Sequence, residues 1–459
     1  MKDLTRGSVT RHLLHVSGFL AISMVVQSLY LLIGLYWVSR LGQQAVAAVA
    51  VAGNITIIAF ALTQMLGTAT TTLISQSAGR KDQAHAEVVF NQSFILSMIM
   101  ALVVGFLGFV LRSAYCESLS ADAATATLAK SYLLWFIPAL LLQFPFVILA
   151  STLRATGIIK VAVGFQVLSI GLNIVLAPVL IFGIGPWPAL GVTGAAVATL
   201  VSILIVDVLV TVYFGTKYRY IRFRYPLFAP QAKIWSAMLR VGVPAGAELV
   251  LQFIYMVLVY AFLRRFGVAA QAAFGVGMRV LQVLFVPVVA LSFVVAPLVG
   301  QNFGGRRADR VRHAVYSALT IASILMLLLT LGAYYFRTPV IGIFSQEPQV
   351  IAFGQDYLGI VSFGLVASGI VFTTSSVFQG VGNTFPPLVS WLIRLALFAV
   401  PTMLLSCTNR LEIRYLWYLT LASQFIHACI NLVLLRRELC KKLKFDAGQD
   451  LPSTSIVTS

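Results

Sequence analysis

Along this chain, long apolar stretches alternate with short polar breaks, and the breaks carry most of the charge. Twelve apolar runs can be read, near 14–38, 46–74, 88–111, 131–153, 161–183, 190–214, 239–262, 268–298, 314–336, 357–378, 386–408 and 415–435. Each offers the roughly 20 mostly apolar residues that cross about 30 Å of hydrocarbon. The runs are continuous rather than alternating in segments of about ten residues, so the pattern predicts spanning helices and not barrel strands.

The pattern also repeats. "VVQSLYLLIGLYWVSRLG" at 25–42 returns as "VLQFIYMVLVYAFLRRFG" at 250–267, with Gln27 on Gln252, Tyr30 on Tyr255 and Gly42 on Gly267, an offset of 225 each time. The same offset aligns Gln76 with Gln301, Gly79 with Gly304, Tyr132 with Tyr357 and Gly157 with Gly382. Six spans per half is an even number, so both halves enter the membrane from the same side. The predicted fold is therefore an all-α membrane protein of twelve transmembrane helices, in two six-helix lobes related by a parallel repeat about the membrane normal. The expected division is an N-lobe over 1–216, a cytoplasmic linker over 217–238, a C-lobe over 239–436 and a disordered cytoplasmic tail over 437–459.

Composition agrees: of 459 residues, 59% are hydrophobic and 10% charged, where a soluble domain carries about 25% charged residues. The opening "MKDLTRGSVTRHLLH" is basic, but the run behind it is of span length and lacks a cleavage site, so the first helix is expected to stay. A net charge of +18 invites a nucleic-acid reading until its distribution is examined. With the N-terminus inside, 22 Lys and Arg fall on cytoplasmic segments, 8 on the opposite side, and Arg279 and Arg394 within spans. That asymmetry is the positive-inside pattern, which points to topology and anionic lipid rather than nucleic acid. The four cysteines show no metal spacing; Cys116 and Cys407 are both expected on the outer side, where they either form a disulfide or, the preferred reading, stay unpaired. The five histidines form no metal site, and His85 and His313 stand in loops without catalytic partners, so an enzyme is not expected.

Polar residues inside spans are the candidate chemistry, because they face the bundle interior or an aqueous cavity. Gln27 and Tyr30 lie one turn apart and share a face; they either join helices or line a pocket, and Gln252 and Tyr255 repeat them. Glu248 lies one turn before Gln252, and Asp207 lies ten residues before Lys217, about 15 Å from its helix end. Either carboxyl can be a coupling group or the partner of a basic residue. Arg279 and Arg394 are read as structural cations, held by carbonyls or by a carboxylate such as Glu248. The hydroxyls of "TTSS" at 373–376 either bond back to their own helix, the simpler reading, or line a cavity. Aromatic rings, 31 Phe and 16 Tyr, could hold flat cations. Pro138, Pro145, Pro178, Pro244, Pro287, Pro297, Pro386 and Pro401 interrupt spans and are possible hinges.

"YWVSRLG", "LRATG", "LNIVLAPVLIFGIGPWPALGVTGAAVAT", "LVGQNFGGRRADRVRHAV" and "FQGVGNTFPP" together resemble the multidrug and toxic compound extrusion (MATE) family, from about residue 12 to 437. The resemblance implies two lobes facing one another in a V, alternating access, and export of organic cations, dyes or fluoroquinolone-like aromatics driven by a proton or sodium gradient. It implies an N-lobe pocket at Gln27, Tyr132 and Asn173. The two aspartates expected in that pocket fall on Gly34 and Ala177, and the glutamate expected eight residues after Pro244 falls on Gln252. Coupling is thereby shifted to Glu248 first and Asp207 second. The expected protein is a monomeric multidrug antiporter of the bacterial inner membrane, with both termini cytoplasmic, no cofactor beyond the coupling ion (H+ or Na+), and small organic substrates and membrane lipid as partners. A flippase for a lipid-linked precursor is the alternative, since the same superfamily includes such proteins.

Overall fold

A computed structural model of the chain describes residues 3–5, 7–183, 188–408 and 411–444, with the side chains of 28–32 outside that description. The described residues form helices only, and twelve of these are long and apolar enough to span a membrane. The N-lobe contains α1 (Val9–Ser39), α2 (Gln43–Gly79), α3 (Gln83–Leu119), α4 (Ala123–Ala155), α5 (Ile159–Phe182) and α6 (Val192–Thr216). The C-lobe contains α7 (Ala232–Leu263), α8 (Val268–Gly304), α9 (Ala308–Tyr335), a short α10 (Arg337–Phe344), α11 (Pro348–Val361), α12 (Gly364–Val381), α13 (Phe385–Cys407) and α14 (Ile413–Lys442).

The repeat seen in the sequence is carried by the turns. Residues α2 and α8 start and stop at positions 225 apart, and both end in a left-handed turn residue, Lys81 (φ 62°) and Arg306 (φ 53°). At both turns the next amide reaches back five residues, Asp82 N–H to the Ser77 carbonyl and Arg307 N–H to the Asn302 carbonyl, which satisfies carbonyls left open at a helix end. Gly157 and Gly382 close α4 and α12 in the same manner, each with φ 79°. The starts are less symmetric. Asp82 and Asp122 cap α3 and α4 by accepting the His85 and Thr125 amides, whereas Arg307 and Glu347 at the equivalent positions supply no side-chain cap. The Thr125 donors hold the Asp122 carboxyl below the usual carboxylate range.

Three boundaries depart from the apolar pattern. The expected span 357–378 is broken between α11 and α12, because the Ser362 carbonyl accepts both the Leu365 amide and the Thr330 hydroxyl of α9 (2.9 and 3.1 Å) and leaves the regular ladder. The linker is shorter than 217–238: α7 begins at Ala232, and the segment before it is bound to the N-lobe. Asn91 and Gln92 of α3 pair with backbone groups of Arg222, Arg224, Leu227, Ala229 and Gln231, Glu87 meets Arg224 at 2.8 Å, and the buried Tyr218 hydroxyl donates to Thr156. Residues 437–442, expected in a disordered tail, continue α14; 445–459 lie outside the described residues. Pro386 sits in the first turn of α13, where proline fits, and interrupts nothing.

The hydrophobic clusters show how the lobes meet. One joins Leu13, Val16 and Leu20 of α1 to Val294 and Leu298 of α8 and Ala322 of α9, so the first half of α1 is packed on the opposite lobe. A second places Met238 of α7 among Leu66, Phe90 and Ile148 of the N-lobe, the reciprocal exchange. Both lie toward the end that carries the α2–α3, α4–α5 and α8–α9 turns and the described N-terminus, here called the basic end. Toward the other end the clusters separate by lobe: Val38, Ala48, Tyr132 and Ala196 form one, and Leu263, Phe274, Tyr357 and Trp417 form another. The lobes are joined at the basic end and part away from it.

Candidate functional site

The closure at the basic end is built on helix α2 crossing α8. A Cβ on Gly79 would fall 2.0 Å from the Gln301 carbonyl oxygen, and one on Gly304 would fall 2.0 Å from the Gln76 carbonyl oxygen; only glycine permits this approach. Around it the amides repeat one bond twice. Gln76 Nε2 donates to the Gly380 carbonyl (2.9 Å), and Gln301 Nε2 donates to the Ala155 carbonyl (2.8 Å), acceptors again 225 residues apart. Residues 3–5 and 7 lie over this crossing: the Leu4 amide donates to Gln301 Oε1, Asn302 Nδ2 donates to the Leu4 carbonyl, and Arg307 and Arg310 donate to the carbonyls of Thr5 and Gly7. Leu4 is buried there.

The N-lobe candidates lie beyond this closure. Gln27 continues the Leu13–Leu20 stripe of α1 and accepts a hydrogen bond from Gln166 of α5 at 3.2 Å, an exposed pair. Asn173, seven residues further along α5 and on the same face, is buried and donates to Thr199 of α6 at 3.1 Å. Tyr132 is buried against Phe136, 5.0 Å between centroids. No hydrogen bond joins Gln27, Tyr132 and Asn173 to one another among the described residues, and the Tyr30 side chain lies outside them. A side chain at Gly34 would meet nothing within 4 Å, whereas Ala177 is packed in an apolar cluster with Leu180 and Ala198.

In the C-lobe, Glu248 accepts a hydrogen bond from Ser375 at 2.9 Å through Oε2, while Oε1 is buried without a hydrogen-bond partner among the described residues. Ser375 belongs to the "TTSS" cluster, of which only Thr374 and Ser376 bond back to their own helix; back-bonding therefore does not describe the whole cluster. Gln252, one turn further along α7 than Glu248, is exposed. Tyr255 donates to Thr420 at 3.0 Å. Arg394 is buried between the rings of Tyr255 and Trp391, 4.6 Å from each centroid, and its Nε has no partner among the described residues. The faces of Tyr255 and Trp391 hold this cation, each interaction worth roughly 0.5 to 2 kcal/mol. Arg279 is exposed on α8 and is not an interior strut. Both oxygens of Asp207 are buried without a partner among the described residues.

Sequence reasoning missed Gln166, Thr420 and the chain His427–Ser390–Asn431, linked at 3.0 Å each, with the His427 ring edge-on to Trp391. Only Gln76 and Gln301 carried a signal, their shared register in the repeat.

Two lobes that close on one another at one end, part toward the other and bury carboxyls within spanning helices define a membrane transporter, not an enzyme. The MatE family profile matches residues 20–179 and 244–405, once in each half, and the chain belongs to that family. It is 27% identical to the FAD transporter of Shewanella oneidensis, over 80% of this chain and 81% of that protein. It is 25% identical to the multidrug export protein MepA of Staphylococcus haemolyticus, over 82% of each. A MOP superfamily transporter from Pyrococcus furiosus superposes with a TM-score of 0.88 at 25% identity, covering 96% of this chain and 98% of that one.

Proposed function

We propose that the protein is a secondary active exporter of organic cations or amphipathic compounds, exchanging them for protons or sodium ions by alternating access. The observation that carries the coupling is the Glu248 carboxyl, which among the described residues is held by Ser375 and keeps a buried oxygen without a partner, open to a proton or a cation. Asp207, with both oxygens unpartnered among the described residues, is the second candidate. Relatives named as multidrug export proteins support the substrate class. With the basic end taken as cytoplasmic, the closure at Gly79 and Gly304 seals the inside and the lobes open outward. The cycle then requires that seal to break while the opposite ends meet.

The test is efflux of a fluorescent organic cation from proteoliposomes under an imposed pH gradient without sodium. Gradient-driven efflux supports proton coupling, and efflux restored only by sodium supports sodium coupling. Movement independent of both contradicts antiport and favours a flippase-like carrier. FAD is a second substrate for the same assay, because one relative is named an FAD transporter.

A further inference from the structure

Two adjoining cavities, of about 380 and 360 Å³, open at the basic end and are both lined by His12 and His15 of α1. The first is bounded by Gly157–Lys160 at the start of α5, the second by Leu298 and Arg310 of the C-lobe. Volumes of this size fall within the range of roughly 300–1,000 Å³ in which small ligands are bound. Arg11, Lys160 and Arg310 bring permanent positive charge, against one acid among the described lining residues, Asp3, whose Oδ1 already accepts the Thr5 amide and hydroxyl. Helix α5 begins here without a side-chain cap, so its first amides add to the positive field. Beside this polar opening α1 exposes Leu14, Phe19 and Ile22, and the Lys160 ammonium lies 6.0 Å from the Phe19 ring.

We propose that this paired cavity binds the phosphate of an anionic phospholipid headgroup, with the acyl chains against the exposed α1 stripe. A free phosphate would use only the cations; a lipid uses the cations and the apolar surface beside them. Basic pockets between spanning helices suit such headgroups. The occupant bridges the start of α5 in the N-lobe and Arg310 in the C-lobe, so it fastens the seam that closes the basic end. The proposal concerns binding alone and does not depend on the substrate or the coupling ion.

The test uses the delipidated full-length protein and native mass spectrometry. Retention of phosphatidylglycerol is compared with phosphatidylcholine, with and without millimolar inorganic phosphate, for the wild type and for the double variant Lys160→Gln, His15→Gln. Both side chains are exposed, so folding is not at stake. The proposal expects phosphatidylglycerol to be preferred and its retention to fall about tenfold in the double variant, while Arg337→Gln at the opposite end changes nothing. Equal retention of the two lipids, or no loss in the double variant, overturns it. Displacement of the lipid by inorganic phosphate overturns the lipid assignment and leaves a free anion as the occupant.

Discussion

The two lobes agree where they seal and disagree where they carry polar chemistry. Gln76 and Gln301, Gly79 and Gly304, Lys81 and Arg306, and the acceptors Ala155 and Gly380 are equivalent pairs making equivalent contacts. By contrast, Glu248 corresponds to Ser23, which merely bonds back to the Phe19 carbonyl, Arg394 to Ser169, and Asp207 to the exposed Leu432. A seal made through backbone carbonyls and glycines tolerates little change in either copy, because each half is the other's surface. An ion or substrate site needs to exist once, so its duplicate is free to drift. The helix pairs α4 and α11–α12 differ likewise. The N-lobe helix runs unbroken through Pro138, whereas its counterpart, with Phe363 at that position, breaks where Thr330 captures the Ser362 carbonyl.

The seal offers the largest effects. Gly79→Ala and Gly304→Ala should each lower stability by about 1–3 kcal/mol, since a methyl must displace a backbone oxygen of the other lobe; thermal unfolding of the purified protein reads this. If one variant is silent, the two halves of the seal are not equivalent. Next, Gln301→Ala leaves the Leu4 amide and the Ala155 carbonyl unpaired and should cost about 2 kcal/mol, against about 1 kcal/mol for Gln76→Ala, which loses one bond. The difference, measured by denaturant or thermal unfolding, sharpens the comparison by isolating what the N-terminal segment adds. Thr330→Val should cost about 1 kcal/mol and alter amide exchange at the α11–α12 break, with no parallel in α4. Smallest of all, Arg279→Gln, at an exposed position, should change stability by less than about 0.5 kcal/mol; a larger loss would show a structural role.

The architecture was legible because the repeat is written in turn residues. Gly42, Gly157, Gly267 and Gly382 occupy positive φ, and only sequence positions 225 apart need such residues twice. Helix rotation was less legible, because apolar residues serve both lipid-facing and interior surfaces in a membrane, so periodicity does not point inward. Phe106 and Phe144 read alike in sequence, yet one is exposed and the other fully buried. For the same reason Glu248 and the "TTSS" hydroxyls could each be singled out, while the pairing of Glu248 with Ser375, 127 residues away, could not. The placement of Arg394 between Tyr255 and Trp391 depends on α7 and α13 meeting, which no local pattern encodes. The α11–α12 break was hidden because its cause, Thr330, lies on another helix.

The central claim is that a shared seal works with a coupling group present in only one lobe. It is tested most directly by Glu248→Gln in proteoliposomes, measuring pH-gradient-driven efflux and gradient-free substrate counterflow on the same preparation. The account predicts that gradient-driven efflux is lost while counterflow persists, because the seal and the lobes remain intact. Gradient-driven efflux at the wild-type rate would contradict it.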